Sequence, residues 1–165
     1  LIRDIVKFGD SRLKAPNTNI VDFGQKLSAL IDDLVDTCHA APGVGLAAPQ
    51  IGVNERVAII DLSVGKDPSA VVVLVNPVMI SEDGVVREEE GCLSIPGISE
   101  AVIRPARVCV EASDARGGRR SIEAEGLFAR ALCHEIDHLE SRLFVERLRG
   151  LKRELVLKKL SRRGV

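Results

Sequence analysis

The sequence predicts an α+β fold, with antiparallel β-sheets packed around a central helix and a further helix near the C-terminal end. Two observations carry this reading. Helical spacing of apolar residues occurs near both ends of the chain, and several short strand-like segments separated by turn residues lie between them. The 165 residues are 45% hydrophobic and 28% charged, enough apolar material for one core, with no repeat, linker or low-complexity stretch, so residues 1–165 read as a single domain.

Taken in order, residues 22–40 form the first helix. Leu27, Leu30, Ile31, Leu34 and Val35 share one face, Asp22 is the expected N-cap, and Pro42 and Gly43 end the element. The glycine-punctuated run GVGLAAPQIG then reads as a buried loop or short strand. Arg56–Leu62 and Ala70–Val75 are strands, and Asn76-Pro77 is a break. Val78–Ile80 and Gly84–Arg87 are expected to pair around an SEDG turn. The acidic run Glu88-Glu89-Glu90 reads as a solvated face. A tight EGCLSIPG segment, closed by Pro96 and Gly97, follows it. Val108–Ala112 and Ser121–Ala124 flank DARGG as a hairpin. From Gly126 the pattern turns helical through Leu127, Ala131, Leu132, Ile136 and Leu139, and a last helix runs from about Leu151 to Leu160 within a basic segment spanning about 147–163.

Composition narrows the function classes. No apolar run approaches the roughly 20 residues of a membrane-spanning helix, so no membrane partner is expected. The chain opens on Leu1 rather than Met, read as a trimmed start, and the charges at Arg3, Asp4 and Lys7 do not suit a secretory signal. With four Phe and neither Tyr nor Trp, stacking platforms for single-stranded nucleic acid are not expected. Glu146 to Val165 holds eight Lys or Arg against two Glu, leaving an acidic body that argues against DNA as a partner. Cys38, Cys92, Cys109 and Cys133 show no CxxC spacing, so reduced thiols in a cytoplasmic protein are expected.

The sharpest local pattern is His134-Glu135-Ile136-Asp137-His138 within the second helical segment. Histidines four apart share a helix face and can meet one metal ion, and Glu135 sits beside that face as a general base for water. Two histidines on a helix can also be an ordinary surface and core pair. A catalytic ion needs a third protein ligand and an open position. His39, at the end of the first helix, reads better as a helix-terminal surface residue. Cys38, Cys109 and Cys133 lie in apolar periodic stretches as core residues. Cys92, in the tight EGCLS segment, completes the best ligand set with His134 and His138. Gln50 ends the glycine- and alanine-rich run with an amide donor, although that run could equally be a tight core turn carrying an exposed Gln.

GVGLAAPQ, EGCLS and HEIDH, in this order, resemble the three signature motifs of the peptide deformylases, and the likeness extends over nearly the whole chain. The resemblance implies a single catalytic domain that removes the N-formyl group from the initiator methionine of new polypeptides. It implies one divalent metal on Cys92, His134 and His138, with Fe²⁺ native and Zn²⁺, Ni²⁺ or Co²⁺ as substitutes. It makes Glu135 the proton carrier, and Gln50 and the backbone N–H of Leu93 the oxyanion donors. Val44, Gly45 and Gly91 would pair with the substrate backbone, and Val44, Leu127 and the wall around His134 would receive the methionine side chain. It also brings in the nascent formyl-Met polypeptide as substrate and the ribosome surface as a partner of the basic C-terminal helix. Cys133, Ser141 and the opening FGDSRL depart from the family's common pattern and put local packing and metal-site tuning in question. Two rivals are a zincin-type metalloprotease, with Glu146 or Glu154 as third ligand, and a structural metal module closed by a fourth protein ligand.

Overall fold

A computed structural model describes residues 1–163. Helix α1 spans Gln25–Ala40 and buries Leu27, Leu30, Ile31, Leu34 and Cys38. It starts three residues later than the sequence suggests. The N-cap is Gly24, in extended backbone, and Asp22 lies before the helix.

Strands β1 (Gly45–Ala47), β2 (Val57–Ile60), β3 (Val72–Asp83), β6 (Arg107–Ser113) and β7 (Arg119–Glu125) form an antiparallel sheet in the order β1-β2-β3-β6-β7. The DARGG hairpin stands as expected between β6 and β7. β3 does not break at Asn76-Pro77. Its register with β6 shifts between Val75 and Val78, and this bulge absorbs the proline. Asn76 takes φ +50°, and its side-chain amide pairs with the backbone N–H and C=O of Ile20. The SEDG segment is therefore not a hairpin turn. Ser81–Asp83 continue β3 against β6, and the chain turns away at Gly84, where φ is +71°. Apolar alternation identifies strands but not their partners.

β4 (Val86–Cys92) and β5 (Ile95–Arg104) form a separate antiparallel pair. Pro96 and Gly97 lie inside β5 rather than closing a loop. A register shift between Gly91 and Cys92 frees the hairpin end from regular pairing. Among the described residues, β1 and β4 each keep one edge without a strand partner.

Helix α2 (Gly126–Leu139) is the centre of the molecule. Ala129, Ala131, Leu132, Ile136 and Leu139 pack with Ala47, Ala58, Ile60, Leu74, Val108, Val110 and Ala112. A 3₁₀ turn at Phe144–Arg147 leads to α3 (Gly150–Arg162), shorter than the basic segment expected over 147–163. Val156 and Leu160 of α3 join Ile95, Ile98, Val102 and Phe144 in one core cluster, so the helix supports the β4–β5 hairpin from behind. Leu151, Leu155 and Leu157 stay exposed, so the helix buries only part of its apolar content. No described helix is long and apolar enough to cross a membrane.

Candidate active site and metal centre

One helical turn of α2 places His134 and His138 side by side, with their Nε2 atoms 3.2 Å apart. Cys92, at the end of β4, brings Sγ to 3.3 Å from His138 Nε2. The three ligand atoms all lie within 4.8 Å of one another. Nitrogen ligands at about 2.0–2.1 Å and sulfur at about 2.3 Å from a tetrahedral ion stand roughly 3.3 to 3.6 Å apart, so the donor set fits a divalent metal. Among the described residues no fourth His, Cys, Asp or Glu joins the group. Three ligands leave a coordination position open, as catalysis requires and a structural module does not. The zincin alternative fails on position. The third member of the cluster is Cys92, and Glu146 pairs with Lys14.

Burial and the neighbouring His134 hold His138 well below the ordinary imidazole range, which keeps it in the neutral form that binds metal. Burial acts the same way on His134, but hydrogen bonds with Cys92 and Glu90 outweigh it and raise that imidazole. A metal cation answers the same negative groups that favour a proton there. The Phe144 ring stacks loosely beside His134, with centroids 6.3 Å apart.

Glu135, on the next position of α2, is buried, and its Oε1 has no hydrogen-bond partner. Burial pushes its carboxyl up to about 7. A carboxylate in that range is poised to take and return a proton near neutrality. Its space comes from Gly45. A Cβ at that position would stand 2.7 Å from Glu135 Oε2 and 3.2 Å from the Ile59 carbonyl.

Gln50 is buried in a 3₁₀ turn, Ala48–Ile51, which corrects the reading of an exposed Gln. Its Oε1 accepts from the Ala47 N–H at 3.0 Å, so its Nε2 must face the other way. Nε2 donates to Ser94 Oγ at 3.1 Å and lies 3.5 Å from Cys92 Sγ. The N-terminal segment braces both residues. Val6 N–H donates to the Gln50 carbonyl and Phe8 N–H to that of Ser94. Leu93 follows Cys92 at the hairpin tip, and Gly43 makes room for its side chain, since a Cβ there would lie 2.8 Å from Leu93 Cδ1.

Val44, Gly45, Gln50, Gly91, Cys92, Leu93, Leu127, His134 and Glu135 all line one cleft of about 680 Å³, between β1 and the β4–β5 hairpin. His138 stands behind His134, almost wholly buried. His39 takes no part. It pairs with buried Asp61 at 2.7 Å, in keeping with its helix-terminal reading. Cys133 borders a different cavity with Met79 and Ile136, and burial pushes its thiol up to about 11. Ser141 takes φ +64°, a conformation that favours glycine, and its hydroxyl donates to the Ala15 carbonyl at 2.7 Å.

Sequence reasoning missed Glu90. It is not on a solvated face but buried, and it takes His134 Nδ1 at 2.6 Å together with Arg104 and Arg130. Burial alone would raise its carboxyl, but the bonds from His134 and Arg104 hold it well below the usual range. Arg104 also reaches Asp137, which Arg147 clamps through both carboxylate oxygens. The available signal was an acid two residues from a candidate ligand, with a lone Arg inside the apolar run AVIRP.

An HExxH helix with a hairpin cysteine as third ligand, an open coordination position and a buried carboxylate beside it defines a metal-dependent hydrolase. The comparisons make the class specific. The family model for polypeptide deformylase matches residues 2–154. Peptide deformylase from Acidobacterium capsulatum is 44% identical over 160 residues, covering 97% of this chain and 94% of that protein. The one from Lachnoclostridium phytofermentans is 47% identical over 149 residues, covering 90% of each. The crystal structure of a peptide deformylase from Legionella pneumophila superposes with a TM-score of 0.91 at 43% identity, covering 98% of this chain and 95% of that one. The chain belongs to the peptide deformylase family. It is a metal-dependent hydrolase that removes the formyl group from N-formylmethionine of newly made polypeptides.

Proposed function

We propose that residues 1–165 act as one catalytic domain in which Cys92, His134 and His138 hold a single divalent ion. Fe²⁺ is the native ion in this reading, with Zn²⁺, Ni²⁺ or Co²⁺ able to replace it, since one thiolate and two imidazoles suit all four. The observation that carries the assignment is the convergence of this three-ligand cluster with buried Glu135 and Gln50 in a single cleft.

Bound there, the ion supplies Lewis acidity toward the formyl oxygen and toward water. Glu135 accepts the proton of the attacking water and returns it to the departing amine nitrogen. The C–N bond of the formamide breaks, and formate and a free N-terminus leave. Gln50 Nε2 and the Leu93 backbone N–H donate to the oxyanion that develops on the formyl oxygen. The bond from Ala47 to Gln50 Oε1 fixes the direction of that donor before substrate arrives.

The peptide lies as an added strand against Val44, Gly45 at the start of β1, and Gly91 of β4, each of those two strands having one open edge at the cleft. Main-chain pairing of this kind accepts many sequences, which suits an enzyme that meets every new chain. Val44, Leu127 and the wall beside His134 receive the methionine side chain. The enzyme works in the cytoplasm, where nascent chains appear. The exposed charges of α3, among them Arg153, Lys158, Lys159 and Arg162, give it a salt-dependent hold on ribosomal RNA phosphates.

The direct test is formate release from a formyl-Met peptide, with and without a chelator, for the wild type, Cys92→Ala and Glu135→Gln. Cys92→Ala is expected to lose the ion and Glu135→Gln to keep it, each with at least ~10²-fold lower kcat. Full turnover by either variant refutes the role given to that residue. Metal analysis of anaerobically prepared protein tests iron. Ribosome co-sedimentation at low and high salt tests the basic helix, using charge reversals at Lys158 and Lys159. Removing α3 is the wrong perturbation, because Val156 and Leu160 complete the core behind the Cys92 hairpin.

A further inference from the structure

We infer that a cavity outside the substrate cleft, built where the β4–β5 hairpin meets the start of α3, binds a small phosphorylated molecule. The deformylation steps above make no use of it, and it shares no lining residue with the substrate cleft.

The cavity holds about 420 Å³, a volume usual for small-molecule sites. Four cations line it against one acid. Arg87 comes from β4, Arg147 from the 3₁₀ turn, Arg149 from the N-cap of α3 and Lys152 from its first turn. The acid, Glu146, is already paired with Lys14. Glu88 and Glu89 follow Arg87 on β4 but do not line the cavity.

Two of the cations are fixed and two are free. Arg147 commits Nε and Nη2 to Asp137, so its guanidinium is held in place while Nη1 takes no part in that clamp. Lys152 is anchored by Glu100 at 3.2 Å and by the Ala101 carbonyl at 3.3 Å. Arg87 and Arg149 are exposed, and among the described residues no carboxylate pairs with either. Four like charges around one hollow repel one another, and an anion between them turns that repulsion into attraction. Arginine forks match phosphate oxygens, with charge on both partners of each bond. A carboxylate brings one negative charge, whereas a phosphate monoester brings about 1.5 to 2. The wall accommodates the rest of such a ligand. Ile103 stands directly opposite Arg87 across the hairpin and is 62% exposed. With Ala101 and Leu148 it gives the cavity an apolar side. This combination favours a small molecule over an RNA backbone, which the exposed charges farther along α3 suit better.

The test is calorimetric titration of the metal-loaded full chain, at low salt, with AMP, ribose 5-phosphate and, as the uncharged control, adenosine. Both phosphates are expected to bind and adenosine is not. Arg87→Ala/Arg149→Ala should weaken the phosphates by at least ~10-fold, the scale of lost charged hydrogen bonds. Deformylation and thermal midpoint should stay at wild-type values in that variant. Charge reversal at Lys158 and Lys159 should leave AMP affinity unchanged, and added salt should lower it. Failure of both phosphates to bind, unchanged affinity in the double variant, or equal binding of adenosine overturns the inference. So does a short oligoribonucleotide that binds while AMP does not, because that result assigns the cations to an extended RNA-facing surface.

Discussion

Replacing Gly45 with alanine should uncouple the proton carrier from the metal centre. The added Cβ would lie 2.7 Å from Glu135 Oε2 and 3.1 Å from its Cδ, with the Ile59 carbonyl at 3.2 Å on the other side. The strand is hydrogen-bonded to β2 and has little freedom, so the carboxylate must move. Ordinary contact begins near 3.4 Å, which sets the displacement at roughly 0.7 Å. A misplacement near 1 Å costs a positioned catalytic group up to about 10²-fold. The expectation is a fall in kcat of about 10- to 100-fold, with metal content unchanged and a stability loss of about 1–3 kcal/mol from overpacking. Gly45 also lies against the proposed peptide strand, so a double-mutant comparison is needed. If the alanine acts through Glu135, it should add little to the deficit of Glu135→Gln. An effect confined to KM, or the full cost retained in the Glu135→Gln background, would refute the reasoning and leave Gly45 as a substrate-backbone contact alone.

Three further outcomes are expected. Gln50→Ala should raise the barrier by about 3 kcal/mol, seen in kcat far more than in KM, because in the proposed mechanism the donor is pre-aimed at a charge present only in the transition state. A pure KM effect would make Gln50 a binding residue. Glu90→Leu should weaken metal retention about 10- to 100-fold in chelator competition, because His134 loses the carboxylate that orients it. Unchanged retention would restrict Glu90 to packing. Asp61 gives a stability signature in acid. Its Ser63 hydrogen bonds, with those of Gly65 and His39, overcome burial and lower its carboxyl from 3.8 to about 2. A group depressed on folding stabilises the protein fully above its unfolded value, and that stabilisation is lost as pH falls from about 4 toward 2. Urea midpoints for the wild type should drop more steeply across that window than those for Asp61→Asn, and parallel curves would contradict this.

The α2 ligand pair was legible because helix periodicity fixes which residues share a face over four positions. Cys92 stood out because EGCLS lacks the apolar periodicity around the other three cysteines, although the structure puts Cys92 at the end of β4 and Pro96 inside β5. The pairing of Ser81–Asp83 with β6 was not legible, since the bulge at Asn76-Pro77 and the turn at Gly84 depend on partners far away in the chain. Glu90 was hidden for a similar reason. Three consecutive glutamates look alike until Arg104 and Arg130, from β5 and α2, converge on one of them. The burial of Gln50 depends on Ser94 and on the N-terminal segment crossing beside it, neither of which leaves a local pattern.

The open edges of β1 and β4 carry a consequence for timing. An unpaired edge ordinarily invites other sheets to stack onto it. Here both edges border a cleft of about 680 Å³, and the proposed pose gives that space to one extended segment. The same restriction acts on the substrate. A protein N-terminus already committed to its own hairpin or helix cannot supply the free backbone that the cleft asks for. The enzyme thus competes with the folding of each client, and N-termini that collapse early should keep their formyl groups longer than those that stay extended.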